Sequence, residues 1–229
     1  MTMARATMPG LERDVQLRAS GVVIQGTFAV PPEPVGVVLF AHGSGSGRFS
    51  TRNRFVADVL RQGALATLLV DLLTSEEDAV DQLTREFRFD IPRLADRLIG
   101  AIDWLGEQPE AATLPVGLFG ASTGGGAALI ASARRPDRVL AVVSRGGRPD
   151  LAGDALPAVR APTLLIVGGD DRSVIELNRQ AMAFMKARVE LEIVPGATHL
   201  FEEPGTLEEV ARLARDWFLK HLRSDAPAR

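Results

Sequence analysis

The serine at position 122 stands where a nucleophile is expected. Residues 120–124 read Gly-Ala-Ser-Thr-Gly and match the pattern G-x-S-x-G. They join an apolar segment of strand length, residues 116–120, to a segment with helical character, residues 122–135. A serine in such a sharp turn projects its hydroxyl above the sheet, and the flanking glycines avoid clashes with neighbouring backbone. The pattern therefore predicts Ser122 as a catalytic nucleophile, with a purely structural glycine-rich turn as the alternative.

A serine needs a base to take its proton, and that base needs a carboxylate to orient it. His199 follows the predicted strand 189–195, and Asp170 and Asp171 follow the predicted strand 163–169. The carboxyl ends of parallel strands share one edge of a sheet, so these side chains are expected near the serine. Serine, aspartate and histidine occur in the chain order of α/β-hydrolase triads. A solvated loop histidine is the alternative for His199.

Two neighbouring aspartates compete for the role of the orienting acid. Consecutive residues of an extended turn point in opposite directions, so only one of the two can face His199. Asp171 lies one residue further into the loop, where its side chain can turn back across the sheet edge, and we predict it as the acid. Asp170 is then expected to face solvent or to cap the next helix. Glu202 and Glu203 are the carboxylates nearest to His199 in sequence should both aspartates fail.

The rest of the chain alternates between strand and helix patterns. Apolar segments of strand length occupy residues 22–28, 35–41, 64–71, 116–120, 139–144, 163–169 and 189–195. Helical patterns occupy residues 51–63, 91–108, 122–135 and 174–186, and a last helix starts at Thr206-x-x-Glu209, a capping-box spacing. This alternation predicts an α/β fold with a doubly wound, mostly parallel sheet.

The domain organisation follows from the absence of any linker or repeat in this pattern. We expect one domain over residues 1–229, with a loose N-terminal tail at residues 1–12. Residues 72–90 are strongly charged and only weakly periodic. They are predicted to form a crossover excursion or a partial cap.

Composition excludes several kinds of chemistry. The 26 basic and 29 acidic residues give a formal charge of −3, so neither nucleic acid nor a membrane surface is expected as a partner. The chain has no cysteine, which excludes thiolate nucleophiles and Cys-ligated metals. Of its three histidines, His42 lies in a glycine-rich loop and His221 is expected on the surface, which leaves little for a metal site. We predict no metal and no cofactor, because the glycine-rich loops at residues 43–47 and 120–126 lack the dinucleotide and P-loop spacings.

Location follows from the absence of targeting signals. The N-terminal segment lacks an apolar core typical of signal peptides, and the longest apolar runs have strand length. A cytoplasmic protein is the expectation, and the oligomeric state is left open.

The chain resembles α/β hydrolases of the dienelactone-hydrolase type over roughly residues 20–222. The segments that carry the resemblance are residues 42–45 (His-Gly-Ser-Gly), 120–124, 168–171 (Gly-Gly-Asp-Asp) and 196–199 (Gly-Ala-Thr-His). Dienelactone hydrolases proper use a cysteine nucleophile, whereas this chain has Ser122. The resemblance therefore implies a serine esterase and does not carry over the lactone substrate. It also implies that the backbone N–H groups of Ser44 and Thr123 form the oxyanion hole.

These observations together predict a serine hydrolase that cleaves a small-molecule carboxylic ester, or a related acyl bond, through an acyl-enzyme on Ser122. An acyltransferase or a small peptidase on the same fold is one alternative, since fold and triad do not select the acceptor. A non-catalytic binding protein that keeps the fold is the other.

Arg145 is a candidate substrate-binding residue. It follows the strand 139–144 and is expected at the same sheet edge as the triad. A guanidinium there could pair with a negative group of the acyl substrate. The alternative is an ion pair with Asp150 or Asp171 that shapes the loop.

Overall fold

The computed structural model describes residues 10–223. Eight strands form one sheet in the order β1-β2-β4-β3-β5-β6-β7-β8. The strands are β1 (Leu11–Ala19), β2 (Val22–Val30), β3 (Gly36–Ala41), β4 (Leu65–Val70), β5 (Val116–Ala121), β6 (Val139–Arg145), β7 (Thr163–Gly168) and β8 (Val189–Val194). Strands β3 to β8 pair in parallel, whereas β2 is antiparallel to both β1 and β4. The prediction of an α/β fold with a mostly parallel sheet is confirmed.

Six α-helices lie within the described residues, and most of them pack on the two faces of this sheet. They are α1 (Thr51–Gln62), α2 (Ser75–Thr84), α3 (Ile91–Leu105), α4 (Thr123–Arg134), α5 (Arg172–Met182) and α6 (Thr206–Leu222). The apolar sides of α1 and α6 pack on one face of the central strands, and those of α3 and α4 pack on the other. Strands β3, β4, β5 and β7 are buried along their whole length, which explains why their sequences are apolar apart from Thr67 and Thr163.

The N-terminal strand β1 was not predicted, and it corrects the expected tail. Leu11 and Glu12 belong to β1, whereas the first nine residues of that tail lie outside the described part of the chain. Alternate residues of β1 face the core, among them Leu17. The turn to β2 has positive φ at both Ser20 (49°) and Gly21 (81°), the backbone of a two-residue hairpin turn.

Residues 72–90 contain the helix α2, which begins with a capping box. The Thr74 hydroxyl accepts a hydrogen bond from the N–H of Glu77, and the Glu77 carboxylate accepts one from the N–H of Thr74. A further short 3-10 segment, Pro149–Ala158, follows β6 and was not predicted. No helix within residues 10–223 is long and apolar enough to cross a membrane.

Candidate active site

The turn between β5 and α4 holds Ser122 in a strained backbone conformation, with φ 51° and ψ −121°. Glycines surround it because the neighbouring backbone is too close for side chains. A Cβ at Gly120 would lie 2.6 Å from the Cα of Gly125, and a Cβ at Gly124 would lie 2.3 Å from the carbonyl oxygen of Ala41. The spacing of the G-x-S-x-G pattern is therefore a steric requirement of this turn.

Three of the predicted site residues form a hydrogen-bonded chain at the carboxyl edge of the sheet. The Nδ1 atom of His199 lies 2.6 Å from Oδ2 of Asp171, and its Nε2 atom lies 3.3 Å from Oγ of Ser122. Asp171 carries no proton to give when ionised, so Nδ1 is the donor and Nε2 is left as an acceptor for the serine hydroxyl. This is the protonation pattern that a general base needs.

The competing carboxylates are placed elsewhere. Asp170 is exposed, and its N–H donates to the carbonyl of Ala197. Glu202 pairs with Arg52 at 3.2 Å. Glu203 accepts hydrogen bonds from the N–H and the hydroxyl of Thr198. Of the four carboxylates that the sequence offered, only Asp171 reaches the histidine.

The loop after β3, residues 43–47, runs against Ser122. A Cβ on Gly43 would lie 3.1 Å from Cβ of Ser122. The hydroxyls of Ser44 and Thr123 lie 3.1 Å apart. None of the hydrogen bonds within residues 10–223 uses the backbone N–H of either residue. Both N–H groups are therefore uncommitted within the described residues. We refer to residues 43–47 as the oxyanion loop, after the role predicted for Ser44.

His42 fastens the oxyanion loop to the end of β4. Its Nδ1 atom lies 2.9 Å from the carbonyl oxygen of Gly43, and its Nε2 atom accepts the N–H of Leu72 at 2.9 Å. Both ring nitrogens are used only if the ring is neutral with its proton on Nδ1. Burial lowers the pKa of His42, which favours that neutral form. Sequence analysis did not select His42 as the candidate base, and its contacts show that it holds the oxyanion loop in place.

Arg145 is buried beneath the loop that carries His199. Its side chain is 6% exposed, and its Nη1 atom lies 3.5 Å from the carbonyl oxygen of Leu200. The guanidinium also lies 5.8 Å from the ring centre of Phe201. Burial, together with the nearby charge of Arg52, lowers the pKa of Arg145 to about 10.

The expected alternative for Arg145, an ion pair with Asp150 or Asp171, is wrong. Asp150 pairs with Arg148 at 2.7 Å, and Asp171 is taken by His199. No carboxylate of the described chain forms an ion pair with Arg145. His221 also differs from expectation, because it is half-buried against Trp217 rather than on the open surface.

Sequence reasoning missed a cleft that α2 lines beside the candidate site. A cleft of about 800 Å³ lies between the oxyanion loop, the start of β2 and α2. Arg88 lines this cleft, and its carbonyl oxygen accepts a hydrogen bond from the Ser44 hydroxyl at 3.3 Å. The capping-box spacing of Thr74 and Glu77 was the signal that could have revealed this helix.

Comparison with known proteins places the chain in context. Two proteins of Mycobacterium tuberculosis, from strains CDC 1551 and H37Rv, are each 57% identical over 225 residues. Both carry the provisional name phosphoribosyl transferase. The match covers 98% of this chain and 50% of each relative, so the chain spans about half the length of these proteins.

Several solved structures are similar to this chain in fold. The crystal structure of a dienelactone hydrolase from Anabaena variabilis is 57% identical, with a TM-score of 0.92 over 93% of this chain and 99% of that one. Est1E from Butyrivibrio proteoclasticus is 16% identical with a TM-score of 0.75, over 90% of this chain and 98% of that one, and shares the fold alone. The sequence model of the dienelactone hydrolase family matches residues 24–222. The chain therefore belongs to the dienelactone hydrolase family.

Proposed function

We propose that this chain is a serine hydrolase that cleaves a small carboxylic ester or a related acyl bond. The observation that carries the proposal is the hydrogen-bonded chain from Asp171 through His199 to Ser122. The uncommitted N–H groups of Ser44 and Thr123 beside the serine add an anion-binding position that a passive binding site would not require.

The reaction proceeds in two halves. Nε2 of His199 takes the hydroxyl proton while Oγ of Ser122 forms a bond to the carbonyl carbon, and the carbonyl oxygen becomes an oxyanion held by the two N–H groups. The oxyanion collapses, the bond to the alcohol oxygen breaks, and His199 returns the proton to that alcohol. Water then attacks the acyl-enzyme by the same route and releases the acid and the free serine. Asp171 keeps the imidazole in the required tautomer and stabilises its protonated form throughout.

The name of the Mycobacterium tuberculosis relatives does not change this proposal. That name belongs to proteins of about twice the matched length, and the family match at residues 24–222 contains every residue of the proposed site. An acyltransferase or a peptidase would use the same residues. Product analysis with water, alcohol and amine acceptors distinguishes these reactions.

The direct test compares wild type with Ser122→Ala on a panel of esters of increasing acyl length. We expect turnover to fall by several orders of magnitude, whereas the melting temperature stays close to that of wild type because alanine fits the turn. A fluorophosphonate probe should label the wild type on Ser122 and leave the variant unlabelled. Equal esterase activity in both proteins would refute the assignment, and an inert wild type would favour a binding protein.

We also propose that Arg145 favours esters that carry a negative group. A buried guanidinium without a carboxylate partner is costly, and an anionic ligand would offset that cost. Hydrolysis of a neutral ester and of its carboxylate-bearing analogue should be compared in wild type and Arg145→Met, with the exposed Arg54→Met as the matched control. An unchanged ratio in Arg145→Met would leave the residue with a structural role only.

A further inference from the structure

The cleft beside the oxyanion loop is not used by the triad. Gln25 of β2, Ser46 of the oxyanion loop and Asp78 of α2 lie on its three walls. It opens on the β3 side of β5, whereas Arg145 belongs to β6 on the other side. Gly43 lines the cleft and approaches Ser122, so a group bound in the cleft would lie next to the reacting carbonyl.

The charged groups of the cleft leave a negative excess. Asp71 is neutralised by Arg48 at 2.6 Å, and Arg88 is neutralised by Asp81 at 2.6 Å. No arginine or lysine of the part described here forms an ion pair with the two remaining carboxylates, Glu76 and Asp78. This wall therefore disfavours an anionic group.

The cleft offers both hydrogen-bond donors and hydrogen-bond acceptors that have no partner among the described residues. The side chains of Gln25, Ser46 and Ser75 make no hydrogen bond within residues 10–223, and all three can donate and accept. One oxygen of Asp78 accepts the Gln82 amide at 2.8 Å, and the other remains open as an acceptor. A neutral group rich in hydroxyls matches this mixture, whereas an alkyl chain would leave it unsatisfied.

An aromatic ring completes the mouth of the cleft. Phe49 is 62% exposed, and the guanidinium of Arg48 lies 4.4 Å from its ring centre. A large exposed aromatic beside polar side chains offers an apolar surface to the C–H groups of a sugar-like ring. Val23 and Leu73 also line the cleft and extend this apolar surface beside the polar side chains.

The wall formed by α2 is fixed in place. Asp81 is fully buried and accepts the N–H groups of Phe87 and Arg88 at 2.8 Å as well as Nε of Arg88 at 2.6 Å. Glu77, besides capping α2, accepts hydrogen bonds from Arg93 and Arg97. These contacts hold α2 in the fixed position that a preorganised binding wall requires.

We propose that this cleft binds a neutral, polyhydroxylated group of the ester substrate, such as a sugar as the alcohol component or the acyl group of an esterified sugar acid. The inference rests on the proposed function in placing the scissile carbonyl at the oxyanion loop. The walls supply paired donors and acceptors for hydroxyls, Phe49 supplies the apolar face, and Asp78 with Glu76 disfavours an anion in the same space.

Two matched pairs of neutral esters test the proposal. Glucose 6-acetate against hexyl acetate varies the alcohol at a constant acyl group, and methyl gluconate against methyl hexanoate varies the acyl group at a constant alcohol. We expect the hydroxylated member to have at least about tenfold higher kcat/KM in one of the pairs. Asp78→Leu and Gln25→Leu should abolish that preference, and Asp78→Asn should retain most of it. Asp137→Leu, an exposed aspartate at the opposite edge of the sheet, is the control that should change nothing.

A binding measurement separates this inference from the proposed hydrolysis. Saturation-transfer NMR with methyl glucoside on Ser122→Ala should show contact that is lost in Ser122→Ala/Asp78→Leu. Contact without any ester hydrolysis by wild type would refute the hydrolase and leave the cleft assignment standing. Hydrolysis through Ser122 with the alkyl ester preferred in both pairs, or with no NMR contact, would overturn the cleft assignment alone.

Discussion

Replacing the predicted orienting acid tests the proposed triad most sharply, because its neighbour is a built-in control. Oδ2 of Asp171 lies 2.6 Å from Nδ1 of His199, and the Asp171 side chain is only 12% exposed. Asparagine has the same shape but no charge. Its amide group can donate to Nδ1, which moves the ring proton to Nε2, where it blocks the uptake of the proton from Ser122.

The expected size of this effect follows from the same geometry. In other serine triads the equivalent change lowers kcat by about 10⁴, which corresponds to about 5.5 kcal/mol in activation free energy. Asp170→Asn alters an exposed side chain that makes no hydrogen bond within the described chain, so we expect less than about a tenfold loss. The two variants should therefore differ by about three orders of magnitude.

The assay measures kcat with a short-chain p-nitrophenyl ester, with melting temperatures to establish that both variants fold. Active-site titration with a fluorophosphonate corrects each rate for the fraction of reactive serine. A larger loss in Asp170→Asn would move the acid to that residue. Small losses in both variants would refute the proposed triad. Glu202 and Glu203 could not simply replace the aspartates, because they are already engaged by Arg52 and Thr198.

Three further predictions concern the supports of the site. Ser44→Ala should lower kcat less than about tenfold, since the proposed oxyanion donor is its backbone N–H; a loss near that of Ser122→Ala would place the donor in the side chain. Asp81→Asn should lower the free energy of unfolding by about 3–5 kcal/mol in urea titrations, because Arg88 loses a buried partner, and an unchanged midpoint would contradict this. Burial lowers the pKa of His42, so the unfolded chain binds a proton that the native chain resists. The free energy of unfolding should therefore fall as pH drops below about 6.5, and His42→Gln should reduce that slope, whereas an identical slope would assign the effect to other groups.

Much of the site could be predicted because its requirements are local in sequence. The glycines at 120 and 124 are imposed by backbone atoms within a few ångströms, so the pattern around Ser122 carries its own structural reason. His199 and Asp171 each follow a buried parallel strand, and the sheet alone brings such residues to one edge. Position along the chain was therefore sufficient to anticipate their meeting.

Helix starts were predicted less well, since the same spacing occurs in two places. The spacing of Thr206 and Glu209 suggested a capping box, but Gly205 is the N-cap and the Thr206 hydroxyl donates to the carbonyl of Glu203. The real capping box is that of Thr74 and Glu77, in a segment whose charge obscured its helical period. The T-x-x-E spacing alone does not determine whether the threonine becomes the N-cap. The N-cap residue also depends on the backbone conformation of the residue that precedes the helix.

Arg145 shows where local reasoning ends. It is the last residue of β6, and strand alternation places it on the face of Val143, whereas Ser144 faces α4. Asp150 lies in the 3-10 segment Pro149–Ala158, which packs against α4, so an ion pair with it would have required the Arg145 side chain to cross to that face. Because the sequence did not predict that segment, only the structure excludes this alternative. What covers the guanidinium could not be predicted from the sequence either, because Phe201 reaches it from a loop 56 residues further along the chain, with φ 56° at its own backbone. Its buried charge results from a tertiary contact, and only the anionic-ester comparison can show whether that charge serves a ligand.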